Sequence, residues 1–246
     1  MRIHAVNKLI EQRLNNATKP FNARGSKVDR CVYCRVDKQY CICEFQPNID
    51  SKVAVILLMS DSEVLKPSNT GRLIADVVKN TSVFQWNRTE PDRKLLEMLA
   101  NTEYSPMVVF PEEYVEDKQR VIHQCQQAHS EQQDKTTLLI FIDSSWREAR
   151  KIFRKSPYLH ALPVLSFQPE SVSQYLMRKA EKDNQLSTAE VATLALSSAG
   201  EHHAADVLQQ WFTVFRESYL ISKTRLKRDY TRPVLQSYRS EHDKLF

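Results

Sequence analysis

The stretch TLLIFIDSSWREARKIFR, Thr137 to Arg154, changes its periodicity in the middle. Leu138 to Ile142 is an unbroken apolar run of strand length, the pattern of a strand covered on both faces. Asp143, Ser144 and Ser145 interrupt it with residues that favour a helix start, and Arg147 to Arg154 then follows helical spacing. Short apolar runs of the same kind occur at Lys52 to Met59, Val83 to Trp86, Met107 to Phe110 and Leu162 to Phe167. Helical spacing separates them at Arg72 to Asn80, Pro91 to Ala100 and Lys118 to Ala128. This alternation predicts an α/β fold, a mainly parallel sheet of five strands with helices on both faces. Ser187 to Ser198 and His202 to Leu220 add two further helices, the first opened by the capping-box spacing of Ser187 and Glu190.

Upstream of the first strand the composition changes. Cys31, Cys34, Cys41 and Cys43 fall within thirteen residues as C-x2-C-x6-C-x-C, and the fifth cysteine, Cys125, stands apart in a predicted helix. Four thiolates on so short a loop suit one tetrahedral ion, zinc ahead of an iron–sulfur cluster. The alternative is a pair of disulfides, which a reducing compartment disfavours, or four unrelated buried thiols. An ion with four protein ligands has no open position, so its part would be structural. Residues 1–50 are therefore read as an N-terminal helix with a small zinc-binding segment, and 51–246 as the main domain.

The 246 residues include 35 Lys and Arg against 30 Asp and Glu, a net charge of +5 that is unevenly spread. Arg147, Arg150, Lys151, Arg154 and Lys155 crowd one helix, and Lys223, Arg225, Lys227, Arg228 and Arg232 crowd the tail. Such clusters suit a polyanion, although a solvated helix face would look the same. Three glycines leave no phosphate-cradling loop. No apolar run approaches the roughly 20 residues of a membrane span, and the polar N-terminus lacks a signal-peptide core. A cytoplasmic protein, with neither a membrane anchor nor an obligate protein partner, is expected. The adjacent His202 and His203 point to different sides of their helix and are not read as a metal pair.

In parallel sheets, ligands gather beyond the carboxyl ends of the strands. Asn69-Thr70-Gly71-Arg72, Asp143-Ser144-Ser145-Trp146 and Ser187-Thr188-Ala189-Glu190 all fall there. Each has a simpler reading as a helix cap; Trp146, directly after a strand-end aspartate, could instead be core or stack on a base.

Taken in order, the four cysteines, Asn69-Thr70-Gly71-Arg72, Asp143-Ser144-Ser145-Trp146-Arg147-x-Ala149-Arg150 and Ser187-Thr188-x-Glu190 resemble the DTW-domain family, the tRNA-uridine aminocarboxypropyltransferases. The resemblance runs from about Arg30 to Leu220. Ser145 stands where the family's Asp-x-Thr-Trp pattern has threonine, keeping the hydroxyl and losing a methyl. The resemblance implies a SPOUT-like fold, with S-adenosylmethionine donating its 3-amino-3-carboxypropyl group to N3 of a tRNA uridine and methylthioadenosine released. It also implies roles for particular residues. Asp143 would be the general base, with a raised pKa, or else orient the uracil, and Trp146 would stack on the uracil or wall the donor pocket. Phe110, Pro111, Asp143, Ser144, Ser145, Leu165, Ser187 and Thr188 would contact the donor. Arg147, Arg150 and Lys151 would meet tRNA phosphates, with Asn69, Thr70 and Arg72 positioning the substrate or shaping the pocket. The competing readings are a methyltransferase using the same donor, a non-catalytic zinc-stabilised RNA-binding protein, and a zinc-clipped interaction scaffold.

Overall fold

A computed structural model of the protein describes residues 1–18, 28–125, 135–167, 186–222 and 229–242. Its centre is a single parallel sheet of six strands in the order β2-β1-β5-β3-β6-β4. The strands are β1 (Ala54–Met59), β2 (Thr81–Gln85), β3 (Tyr104–Val109), β4 (Val121–Ile122), β5 (Thr136–Asp143) and β6 (Val164–Leu165). Every residue of β1 is buried, as its continuous apolar run requires of a strand covered on both sides. In register, Met59 of β1 stands opposite Asp143 of β5, so the carboxyl ends of the two central strands finish together.

Alternate residues of these strands face two different cores. Val55, Leu57, Met59, Leu139 and Phe141 face one way, against α3 (Gly71–Val77), α6 (Thr188–Ser198) and α7 (His202–Ile221). Ala54, Ile56, Leu58, Leu138 and Ile140 face the other way, against Leu95 of α4 (Arg93–Ala100) and Ala149, Ile152 and Phe153 of α5 (Trp146–Arg154). Burying Ile152 and Phe153 contributes about 1.5–3 kcal/mol each, which fixes the rotation of α5 and turns its cationic residues outward. The expected arrangement, helices on both faces of a parallel sheet, is therefore present.

The sheet differs from the sequence reading at its edge. Residues 118–125, expected on a helix, form a 3-10 turn at Lys118–Arg120 and then β4, which pairs with β6; residues 126–128 of that expected helix lie outside the described residues. Asp117 caps the short turn through the amide of Gln119. Arg120 then donates to the carbonyls of Leu159 and Leu162, at 2.7 and 2.8 Å, drawing the chain along the sheet where β-branched Val121 and Ile122 pair well. Cys125 follows β4 at the end of this described stretch. It is buried, its amide donates to Ser198 Oγ, and burial raises its thiol pKa.

Two more elements join the first core. Val6 and Ile10 of α1 (Ala5–Asn15), and Cys34, Val36 and Ile42 of the cysteine loop, share one apolar cluster with β1, α3, α6 and α7. Leu235 and Tyr238 of α8 (Pro233–His242) belong to it too. A polar knot joins these pieces at Asp76, which is 7% exposed. Its carboxylate meets His4 Nε2 at 3.0 Å and accepts from Gln46 Nε2 at 2.7 Å and Trp211 Nε1 at 2.9 Å. No helix of the described residues is long and apolar enough to cross a membrane.

Burial alone would raise the Asp76 carboxyl, but the hydrogen bond and charge of His4, with Arg72 and Trp211, hold it below the usual carboxylate range. A depressed carboxyl adds stability that is complete above its unfolded pKa of about 3.9 and lost as pH falls through the lower folded value. Asp76→Asn should therefore cost about 3 kcal/mol near neutral pH. The deficit should shrink towards acid when thermal unfolding is followed from pH 7 to pH 3; a pH-independent deficit would contradict the charge assignment.

Candidate functional site

Asp143 ends β5 with no exposed surface. A buried carboxylate needs donors on its oxygens, and two distant loops supply them. Asn69 Nδ2 donates to Oδ2 at 2.5 Å across 74 positions, and Thr188 Oγ1 donates to Oδ1 at 2.8 Å across 45 positions. The motifs around Asn69, Asp143 and Thr188 therefore meet at one carboxylate. Thr188 is half-buried and the outermost of the three.

Each donor is itself positioned. Asn69 Oδ1 accepts from the amide of Arg72 at 3.0 Å, capping α3, and Asn69 Nδ2 also reaches Glu63 Oε1 at 3.2 Å. Glu63, on the short α2 (Asp61–Val64), is fully buried and takes Lys66 Nζ at 2.7 Å. Sequence reading missed Glu63 and Lys66, because an acidic residue in the first turn of a short helix looks like an ordinary end-charge. Ser187 and Glu190 close the capping box that starts α6, with bonds of 3.4 and 2.9 Å, and so aim Thr188 at Asp143. Gly71 is required by contact: an added Cβ would stand 2.6 Å from Asp143 Cγ and closer still to Oδ2.

Across the sheet lies an aromatic group. Trp146 stacks on Phe110 with centroids 5.7 Å apart and meets Tyr114 edge-on at 5.4 Å; Phe110 stacks in turn on Phe153 at 4.4 Å. Trp146 is half-buried, and its Nε1 is buried without a hydrogen-bond partner. Arg150 lies over the Tyr114 ring at 5.5 Å and Lys151 over Trp86 at 5.6 Å, while Arg147 is exposed. Tyr114, in the turn after Pro111, was not picked out in the sequence because it carries no spacing signal.

The remaining predicted residues are placed as follows. Ser144 Oγ donates to Ser60 Oγ at 2.8 Å, tying the β5 loop to the β1 loop. Ser145 is exposed at the N-cap of α5 and its side chain caps nothing. The Leu165 side chain is core, and its carbonyl accepts from the Phe110 amide at 3.1 Å. Pro111 opens the turn holding Tyr114. Thr70 is fully buried, with Oγ1 lacking a hydrogen-bond partner. Arg72 is 2% exposed and lies over the Phe215 ring at 4.5 Å, away from any surface that a tRNA phosphate would reach. Lys223–Arg228 of the basic tail lie outside the described residues.

The four knuckle cysteines also converge, with all four sulfurs within 4.8 Å of one another. Cys31 and Cys43 sulfurs are 3.6 Å apart, and those of Cys34 and Cys41 3.7 Å. A tetrahedral ion with metal–sulfur bonds of about 2.3 Å needs sulfurs about 3.8 Å apart, so the donor set fits a metal ion such as zinc. Hydrogen bonds from Cys34 and Cys43 pull Cys31 down, and the Cys31 interaction in turn raises Cys34 and Cys43.

The strand ends of a parallel α/β sheet thus gather a buried carboxylate, an aromatic wall and a cationic helix, beside four cysteines placed to hold a metal ion. The DTW domain family matches residues 28–220, and the chain belongs to that family. Membership is consistent with a tRNA-modifying enzyme. No solved structure matches the chain.

Gly71→Ala should force Asp143 off its partners and lower stability by about 1–3 kcal/mol or more, read by denaturant unfolding; an unchanged midpoint would show that the contact relaxes freely. Metal binding needs thiolates and releases protons, so raised thiols such as Cys34 and Cys43 compete for protons as pH falls. Apparent zinc affinity should drop more than about tenfold per unit between about pH 8 and pH 6, measured against a chromophoric chelator.

Proposed function

We propose that the protein is a tRNA-modifying transferase of the cytoplasm. It moves the 3-amino-3-carboxypropyl group of S-adenosylmethionine to N3 of a tRNA uridine and releases methylthioadenosine. The observation that carries the reading is the meeting of Asn69, Asp143 and Thr188, from three separate motifs, at the carboxyl end of β5. A helix-capping origin for each motif explains the local bonds at Asn69 and Ser187; it does not explain why both neighbouring side chains also bind one buried carboxylate. A SPOUT-like fold belongs to this proposal, supported by the parallel sheet covered on both faces.

The donor is proposed to lie where β3, β5 and β6 end, against Phe110, Pro111, the backbone of Leu165, Ser144, Ser145 and Thr188. Two buried polar atoms near these loops, Thr70 Oγ1 and Trp146 Nε1, lack partners, which suits a ligand rich in polar atoms. When bound, the sulfonium supplies the leaving group, since breaking its bond to the transferred carbon neutralises positive charge. Trp146 and Tyr114 offer ring faces and edges to a base, and the outward face of α5, with Arg147, Arg150 and Lys151, follows the phosphates.

Uridine N3 must lose its proton for its lone pair to react. Asp143 has no exposed surface, and half-buried Thr188 stands outside it. The proton is therefore proposed to pass to Thr188 Oγ1 as that hydroxyl gives its own proton to Asp143 Oδ1, across the 2.8 Å bond between them. Asp143 also orients the site by holding Asn69 and Thr188 in place. The ion proposed for the knuckle is zinc, in a structural part.

The test is mass spectrometry of the small-molecule product after incubation with S-adenosylmethionine and unmodified tRNA. Methylthioadenosine formed only with tRNA is expected; S-adenosylhomocysteine would mean methyl transfer, and no product despite tight tRNA binding would mean a binding module. Asp143→Asn should lower turnover by about 100-fold or more while tRNA binding persists, and full turnover in that variant would remove Asp143 from the chemistry.

A further inference from the structure

Three arginines from separate parts of the chain close on the cysteine knuckle. Arg35 lies inside it with φ 61°, Arg232 precedes α8 with φ 51°, and Arg72 comes from α3. Arg35 is within electrostatic reach of Cys31 and Cys34, Arg72 of Cys34, and Arg232 of Cys34 and Cys41. Arg35 and Arg232 take the left-handed backbone conformation, which costs a side-chain-bearing residue of the order of 1 kcal/mol. Both are therefore held there by their surroundings.

Their hydrogen bonds are incomplete. Arg35 Nη2 donates to the Leu65 carbonyl at 3.4 Å, and Arg232 Nη2 donates to Ser218 Oγ at 2.7 Å and to the Tyr40 carbonyl at 3.2 Å. Arg35 Nε, Arg72 Nε and Nη2, and Arg232 Nε are buried without a partner. Asp76 is within electrostatic reach of Arg72 and Glu217 of Arg232, but both carboxylates place their hydrogen bonds elsewhere. Asp76 is held by His4, Gln46 and Trp211, and Glu217 accepts the amides of Val234 and Leu235. A guanidinium does not give up its proton, so burying it without a facing anion is costly.

Further negative charge beside these unpartnered nitrogens is supplied if the knuckle is loaded, because a divalent ion on four thiolates leaves a dianion. We propose that Arg35, Arg72 and Arg232 are the outer shell of the metal centre and supply the counter-charge to its tetrathiolate. Arg232 carries the centre's influence into α8, whose Arg239 lies over Phe45 of the knuckle at 5.1 Å, next to the Tyr40–Tyr230 ring contact of 6.3 Å. The inference rests on the metal reading of the four cysteines and is independent of the transfer reaction.

Cobalt(II), titrated into the reduced full-length chain, is the probe, with sulfur-to-cobalt charge-transfer bands and competition by a chelator as readouts. The wild type should bind one ion with tetrathiolate bands. Arg72→Met and Arg232→Met should each weaken cobalt affinity about 10- to 100-fold and shift the charge-transfer band. Arg72→Lys, which keeps the charge, should recover most of the affinity. Arg239→Met loosens α8 on Phe45 without removing charge near the sulfurs and should leave affinity within about twofold of wild type, well short of an outer-shell loss. Wild-type bands together with unchanged affinity and spectra in folded Arg72→Met and Arg232→Met would overturn the inference alone. Absence of tetrathiolate bands in the wild type would overturn the metal reading and this inference with it.

Discussion

The carboxylate of Asp143 is the constraint around which this end of the molecule is organised. Asp143 ends its strand with no exposed surface, so its carboxylate must be satisfied by protein donors. Asn69 and Thr188 meet that demand, and each is fixed by a helix start of its own. The Asn69 amide spans Asp143 and Glu63, and Lys66 balances Glu63, so the buried charge is distributed over a chain of partners. Removing any member leaves a polar group orphaned in the interior, and for that reason three loops with no sequence proximity hold one arrangement.

Much of the sheet was legible in the sequence because strands buried on both faces need continuous apolar residues, and Leu138 to Ile142 and Val53 to Met59 have them. The edge was not. β6 lies inside the apolar run Leu162 to Phe167, but β4 is two residues long, too short for periodicity to register, and the polar spacing around Val121 and Ile122 mimics a helix. The site was legible as motifs and not as geometry. Asn69, Asp143 and Thr188 stood out as polar residues after strands, yet nothing in their spacing required that they touch. Arg72 illustrates the limit: it shares a motif with Asn69, but its guanidinium lies over Phe215 and within electrostatic reach of Cys34. Glu63 and Tyr114 became visible only through their contacts.

The cysteine knuckle and the strand-end site lie on one scaffold. α3 begins at Gly71, against Asp143, and its next residue sends a guanidinium towards Cys34. The apolar cluster that holds Cys34 and Ile42 also holds Met59, Phe141 and Ala189, the residues just beneath the polar tie. A metal clip placed here braces the same helix whose N-terminal cap forms part of the site, which gives a closed coordination sphere a mechanical part at a distance from any reacting atom.

The uneven lengths of the strands grade the sheet from one side to the other. β1 and β5 share a six-residue register, whereas β6 pairs with β3 and with β4 over only two residues each. Short ladders open locally at lower free energy than long ones, so amide protection is expected to be highest in the central strands and lowest at the β4–β6 margin. The Phe110 and Leu165 loops sit beside that margin, joined by hydrogen bonds from the Phe110 amide to the Leu165 carbonyl and from the Glu112 amide to Ser166 Oγ. Backbone pairing is thus graded across the sheet, longest at β1 and β5 in its centre and shortest along the β4–β6 border.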